Sequence, residues 1–210
     1  MKKPKPLTPL RAPCQRRSKV TYDAIIEATT QLLIEKGYAA TTTNHIAERA
    51  GVSIGSLYQY FPNKEAIAVE VLQRHIVNGP SYMASQVVPS MKNLSAPAEI
   101  VKCAIEAACD YHAENPALHK VLEEEVPHPT HVREAIKRNE DLYVDAIANW
   151  IEQQRSQQLS SPSVAARLVF YMIKTMTHWY ILYQQAEIKR EVFVDELTAI
   201  VMRYLFPTSA

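Results

Sequence analysis

Apolar side chains along this sequence recur every three to four positions, in nine separated blocks. That is the period of a helix with one buried face. The first block holds Val20, Ala24, Ile25, Ala28, Leu32 and Leu33; it starts near Lys19 and stops at Gly37. Thr41, Thr42 and Thr43 offer caps for a short second helix, Asn44 to Ala50, with Ile46, Ala47 and Ala50 inward. Gly51 ends it, Ser53 opens a third short helix to Tyr60, and Asn63 can cap a fourth from Lys64 to about Asn78, ahead of Gly79-Pro80. Five more blocks predict helices over about Pro97–Glu114, Pro116–Glu125, Thr130–Gln157, Ser163–Gln185 and Glu191–Leu205. The pattern predicts an all-α protein with no internal repeat.

Composition agrees with a helical fold. There are 4 Gly in 210 residues and no Asn-Gly or Asp-Gly pair, so the tight turns of an all-β chain are missing. A chain of this length, 47% hydrophobic and 21% charged, can build a core without disulfides or metals. No apolar run reaches the roughly 18 residues that span a bilayer. The basic N-terminus is not followed by an apolar stretch, so a secretory signal is not expected and a cytoplasmic protein is. Cys14, Cys103 and Cys109 lack metal-type spacing and read as reduced thiols used as small apolar residues.

Charge changes the picture. Residues 1–64 carry ten Lys/Arg against four Asp/Glu, while the other residues carry 13 against 18. A basic head on an acidic body suggests that the head meets a polyanion. Residues 1–17, rich in Lys, Arg and Pro, read as a disordered basic arm. Such an arm either only solubilises or enters a minor groove.

The second helix, a turn at Gly51 and the third helix make a helix-turn-helix pattern. Ala47 permits close approach, Gly51 can take the positive φ of the turn, and Val52 and Leu57 can plug the core beneath. The outward positions Ser53, Ile54, Gly55, Ser56, Gln59 and Tyr60 include no acid, which suits entry into a major groove. The ungapped run from Thr42 to Glu65, with Ala28, Leu32, Leu33, Lys36, Gly37 and Tyr38 before it, closely resembles the DNA-binding signature of the TetR family of transcriptional regulators. The resemblance covers about residues 20–70. It implies a domain over 18–64 that binds operator DNA, and a dimerising, ligand-binding body over 65–210. It implies that Thr42 and Thr43 sit near a phosphate or base edge, and that Ile54, Gly55, Ser56 and Gln59 read bases. It places the hydroxyls of Tyr58 and Tyr60, and Lys64, on phosphates; a packing role stays open for both tyrosines. Ile54 and Gly55 have no side-chain donors, so specificity leans on Gln59, Ser56, thymine methyls or DNA shape.

The eighth block is apolar nearly all round, with Arg167, Lys174 and His178 on one narrow stripe. Such a helix is buried on more than one side, against its own body and a partner. The resemblance likewise implies a homodimer through helices 8 and 9, with two recognition helices about 34 Å apart on a pseudo-palindrome. The family also implies a repressor with a small-molecule effector bound among helices 4 to 8. The effector would shift helix 4 and release the DNA. Tyr111, Tyr143, Trp150, Met172, Met176 and Trp179 are candidate effector contacts, with ordinary core as the competing reading. The few charges on these faces suggest a largely apolar effector of unknown identity. His112, His119, His128 and His131, near Glu123–Glu125, follow no metal-ligand spacing, and neither metal nor cofactor is expected. No Ser-His-Asp grouping, phosphate loop or zinc-protease motif appears, so the chain does not read as an enzyme.

Overall fold

The computed structural model describes residues 6–11, 13, 15–93, 96–154 and 159–207. Among them the chain forms nine helices and no strand: α1 (Arg16–Ala40), α2 (Thr43–Arg49), α3 (Ile54–Tyr60), α4 (Lys64–Asn93), α5 (Pro97–Glu114), α6 (Pro116–Glu124), α7 (Thr130–Gln153), α8 (Pro162–Tyr183) and α9 (Arg190–Leu205). None of the described helices is long and apolar enough to cross a membrane.

Three helix starts are set by the expected local chemistry. Thr42 Oγ1 accepts from the His45 amide at 3.2 Å, Ser53 Oγ from the Ser56 amide at 3.0 Å, and Asn63 Oδ1 from the Ala66 amide at 2.7 Å. Three ends differ from the periodicity reading. Helix α1 begins at Arg16 rather than Lys19, so Arg16 and Arg17 are helical and not part of an arm. Gly37 does break the helix, with φ 73° and ψ 174°, but one further turn follows to Ala40. Helix α4 runs through Gly79-Pro80. Proline has no amide to donate, yet one lost bond inside a 30-residue helix is tolerated when packing holds the rest. Gly79 is instead a packing position: a Cβ there would lie 2.9 Å from the Tyr111 hydroxyl. Residues 1–5, 12, 14 and 155–158 lie outside the described residues, so Cys14, the first lysines of the arm and the expected end of the seventh helix do too.

The chain divides into two compact units. The first comprises residues up to Val77 together with Ala117–Glu134, so α6 belongs with the N-terminal elements. Its fully buried side chains include Ile25, Leu32, Leu33, Ile46, Leu57, Phe61, Ile67 and Leu122. Arg74 of α4 pairs with Asp23 of α1 at 2.9 Å and with Glu70 at 3.3 Å, its guanidinium 5.4 Å from the Tyr22 ring. The second unit comprises Asn78–Pro116 and Ala135–Ala210. Its core joins Ile105, Cys109, Val144, Trp150, Ile151, Val169, Tyr180, Phe193 and Val201. Burial pushes the Cys109 thiol up to about 11, which keeps it neutral and inert. Lys102–Asp195 at 2.7 Å and Arg190–Asp110 at 2.6 Å tie α5 to α9; both pairs are solvent-exposed and screened, so they add little to stability.

Candidate nucleic-acid interface

The α2–turn–α3 unit is built as its sequence requires. Ile46 and Leu57 are fully buried, and Ala47 is nearly so. Gly51 has φ 65°, the left-handed turn conformation that a Cβ disfavours. The Val52 amide donates to the Ala47 carbonyl at 3.0 Å and closes the turn. Beneath α3, the Tyr22 ring meets Tyr60 edge-on at 5.8 Å and Phe61 at 4.9 Å.

What remains outward is the expected reading face. Thr42, Ser53, Ile54, Gly55, Tyr58 and Gln59 are exposed, while Thr43 and Ser56 are half-buried. The structure brings Thr43 and Tyr58 together, Oγ1 to Oη at 3.1 Å, so α2 and α3 share one hydroxyl pair. Ser53 is spent on its own helix: it caps α3, and its hydroxyl lies 2.8 Å from that of Ser56. No acid occurs between Arg49 and Lys64, so nothing on α3 repels a phosphate.

Two expected contacts sit differently. Tyr60 is 8% exposed, and its ring is part of the head's core against Tyr22. The Lys64 ammonium turns to the end of α1. It donates to the Tyr38 carbonyl at 2.9 Å and the Ala39 carbonyl at 3.4 Å, and lies 4.2 Å over the Tyr38 ring. The last carbonyls of α1, which ends at Ala40, lack intrahelical donors, and Lys64 supplies one.

Sequence reasoning missed Glu125. Its carboxylate accepts from the Tyr38 amide at 2.8 Å and packs against Gly37, 3.2 Å from where a Cβ would stand. The Tyr38 residue is thus held on its N–H by Glu125 and on its C=O by Lys64. Burial and the Glu65 carboxylate push its phenol up to about 12. The signal available was an amide freed by a glycine break, which says that an acceptor is needed but not where it comes from. Also missed was the two-pronged Arg49–Glu35 pair, both contacts at 2.8 Å, which fastens α2 to α1. Residues before α1 are fastened as well: the Leu10 amide donates to the Tyr60 carbonyl at 2.7 Å, and Asn63 Nδ2 to the Pro6 carbonyl at 3.3 Å.

The six candidate effector contacts are not gathered in one place. Trp150 and Met172 belong to the second unit's core, and Trp150 Nε1 is buried with no acceptor among the described residues. Tyr143 stacks on Phe170 at 5.5 Å, and burial raises its phenol to about 12. Tyr111 packs near Tyr82 at 5.6 Å. Met176 and Trp179 are instead exposed on α8, with Val164, Leu168, Tyr171 and Tyr183. The basic stripe of α8 turns to α7 and α5: Arg167 pairs with Asp141 at 3.1 Å, Lys174 with Glu140 at 2.6 Å, and His178 lies 5.3 Å from the His112 ring. The four histidines do not converge. His119 meets His75 at 3.2 Å, and His128 donates to the Leu122 carbonyl at 2.9 Å. Among the described residues no three His, Cys, Asp or Glu side chains gather to hold a metal ion.

Comparison with known proteins follows the same division. The model described as bacterial regulatory proteins, tetR family, matches residues 25–71, and that of a tetracyclin repressor-like C-terminal domain matches residues 97–205. YvkB of Bacillus subtilis, an HTH-type transcriptional regulator, is 41% identical over 63 residues, 30% of this chain and 33% of its own length. Among solved structures, the fatty acid degradation regulator FadR from Bacillus halodurans superposes with a TM-score of 0.62 at 20% identity, covering 89% of this chain and 95% of that one. AibR, solved with isovaleryl coenzyme A and operator DNA, gives 0.60 at 20% identity, covering 86% and 97%.

Proposed function

The chain belongs to the TetR family of helix-turn-helix transcriptional regulators, and we propose that it is a homodimeric repressor, released from its operator by a small, largely apolar effector. The observation that carries the DNA half of this reading is the acid-free outward face of α3 with the Thr43–Tyr58 hydroxyl pair at its edge. Thr42, Thr43, Ile54, Gly55, Ser56, Tyr58 and Gln59 are the proposed contacts, with Ser53 fixing the first turn of α3. The first unit reads DNA; the second dimerises and takes the effector.

The exposed apolar stripe of α8, with Val192, Ile200 and Tyr204 of α9, supports a dimer through these two helices. Met176 and Trp179 then serve the dimer face rather than an effector site. For the effector, Tyr111, Tyr143, Trp150 and Met172 remain the proposed contacts. The buried, acceptor-less Trp150 Nε1 favours a ligand that carries a carbonyl. AibR is solved with isovaleryl coenzyme A, so acyl-CoA thioesters are the first ligands to try.

The test is a titration of the DNA flanking the protein's own gene at two KCl concentrations. Native protein is expected to prefer a palindrome by about 10³-fold or more over scrambled DNA. Tyr58→Phe, which removes one hydroxyl, should weaken binding about tenfold. Added isovaleryl or longer acyl-CoA should raise Kd. Binding that appears only with the thioester would replace release by co-repression. No specific binding at any salt would sink the DNA reading.

A further inference from the structure

Arg11, Arg16, Arg17 and Lys19 are four cations within nine residues, and all four are exposed. The first carboxylate along the chain is Asp23, which is already engaged by Arg74. No ion pair involves any of the four among the described residues, whereas Arg49, Arg74, Arg167 and Arg190 are each paired. Arg16 and Arg17 stand in the first turn of α1, which holds no acid, and Lys19 follows directly. There the helix's own amides already present positive charge, so each cation disfavours the helix end instead of helping it. The cluster repels itself and its helix until an anion joins it.

Its position is fixed on both sides by Tyr60, the last residue of α3. Leu10, just before Arg11, donates its amide to the Tyr60 carbonyl at 2.7 Å. Tyr22, just after Lys19, lays its ring edge-on to the Tyr60 ring at 5.8 Å. Arg16 lies six residues before Tyr22, about 9 Å along the helix axis. The cations therefore stand beside the C-terminal end of the helix that reads bases. Two other basic residues of the head are not available there: Lys64 is turned onto the Tyr38 and Ala39 carbonyls, and Arg49 onto Glu35.

We propose that Arg11, Arg16, Arg17 and Lys19 form a second DNA-binding surface, which grips backbone phosphates flanking the bases under α3. The proposal rests on the reading of the head as DNA-binding. Duplex DNA is the occupant because the cations adjoin the end of the reading helix, held there by the Leu10 and Tyr22 contacts with Tyr60, and have the complementary charge. It supplies the phosphate grip that Lys64, held by α1, does not. Such contacts add affinity and fix register without choosing sequence.

The test uses full-length protein and a duplex selected from a random library by the native chain. Kd is measured across a KCl series for native protein, for Arg11→Ala/Arg16→Ala/Arg17→Ala/Lys19→Ala, and for Arg11→Lys/Arg16→Lys/Arg17→Lys. Each lost phosphate contact flattens the log–log salt slope by about 0.9, so the alanine variant, which removes the cluster from both protomers of the dimer, should lose about 4–7 in slope. Its affinity should fall equally on selected and scrambled duplexes, and its ranking of base substitutions should not change. The lysine variant should keep the native slope. Without DNA, the alanine variant should melt no lower than native. An unchanged slope in the alanine variant overturns the proposal while leaving the DNA reading intact, and so does a loss confined to the selected duplex. Failure of the native chain to select any duplex removes both.

Discussion

In the first unit the outward side chains of α3 are Ile54, Tyr58 and Gln59 beside Gly55, with the exposed Arg11, Arg16 and Arg17 near by. In the second unit the outward side chains of α8 are Val164, Leu168, Tyr171, Met176, Trp179 and Tyr183. One surface is hydrated and positively charged; the other loses free energy by staying wet. The two answer differently to the solvent. Salt screens the first and leaves the second almost untouched, because burial of apolar area does not depend on screening. A single KCl series read by both DNA binding and sedimentation therefore separates the two activities.

The sharpest break is on the apolar side. Leu168→Glu/Trp179→Glu would place carboxylates on the exposed apolar stripe of α8, where the proposed dimer needs dry surface. It should raise the dimer dissociation constant by about 10³-fold or more, roughly 4 kcal/mol, as read by sedimentation. Next comes the mirror experiment in the head. Leu57→Ala empties a fully buried position and should cost about 2–5 kcal/mol. Operator binding should fail in that variant while sedimentation still reports a dimer. The third prediction compares two glycines within the head. Gly51→Ala should cost about 1–2 kcal/mol from backbone strain alone, since nothing lies within 4 Å of its would-be Cβ. Gly37→Ala should cost more, because the same strain comes with displacement of Glu125 from the Tyr38 amide. Denaturant midpoints for the two variants rank them.

The smallest effect is a pH dependence of the head. Burial lowers the pKa of His75, which packs on His119. The unfolded chain then takes this proton first as pH falls. Its contribution to stability is complete above about 6.5 and declines below it. His75→Asn should flatten that part of the stability–pH curve; an unchanged curve would show that another group controls it.

Caps and breaks were readable because they are decided within three or four residues. Thr42, Ser53, Asn63 and Gly51 all act on neighbours in the chain. What could not be read depends on partners far along the sequence. Gly79-Pro80 looked like a helix stop, but Tyr111 explains the glycine and α4 runs on. Tyr60 and Lys64 carry residue types that suit a phosphate, yet Tyr22 claims one and Tyr38 the other. Met176 and Trp179 have the composition of a pocket, and only their direction on α8 separates them from Met172. The basic bias of residues 1–64 was visible from the start; which cations are already paired was not.

The bond between Glu125 and the Tyr38 amide joins positions 87 apart. The head is therefore not a transplantable cassette. A chimera spliced at residue 64 would carry the reading helix but leave the joint after Gly37 without its acceptor. Grafts that bring residues 117–134 along with the first 77 would keep that joint whole, and with it the pose of the module they borrow.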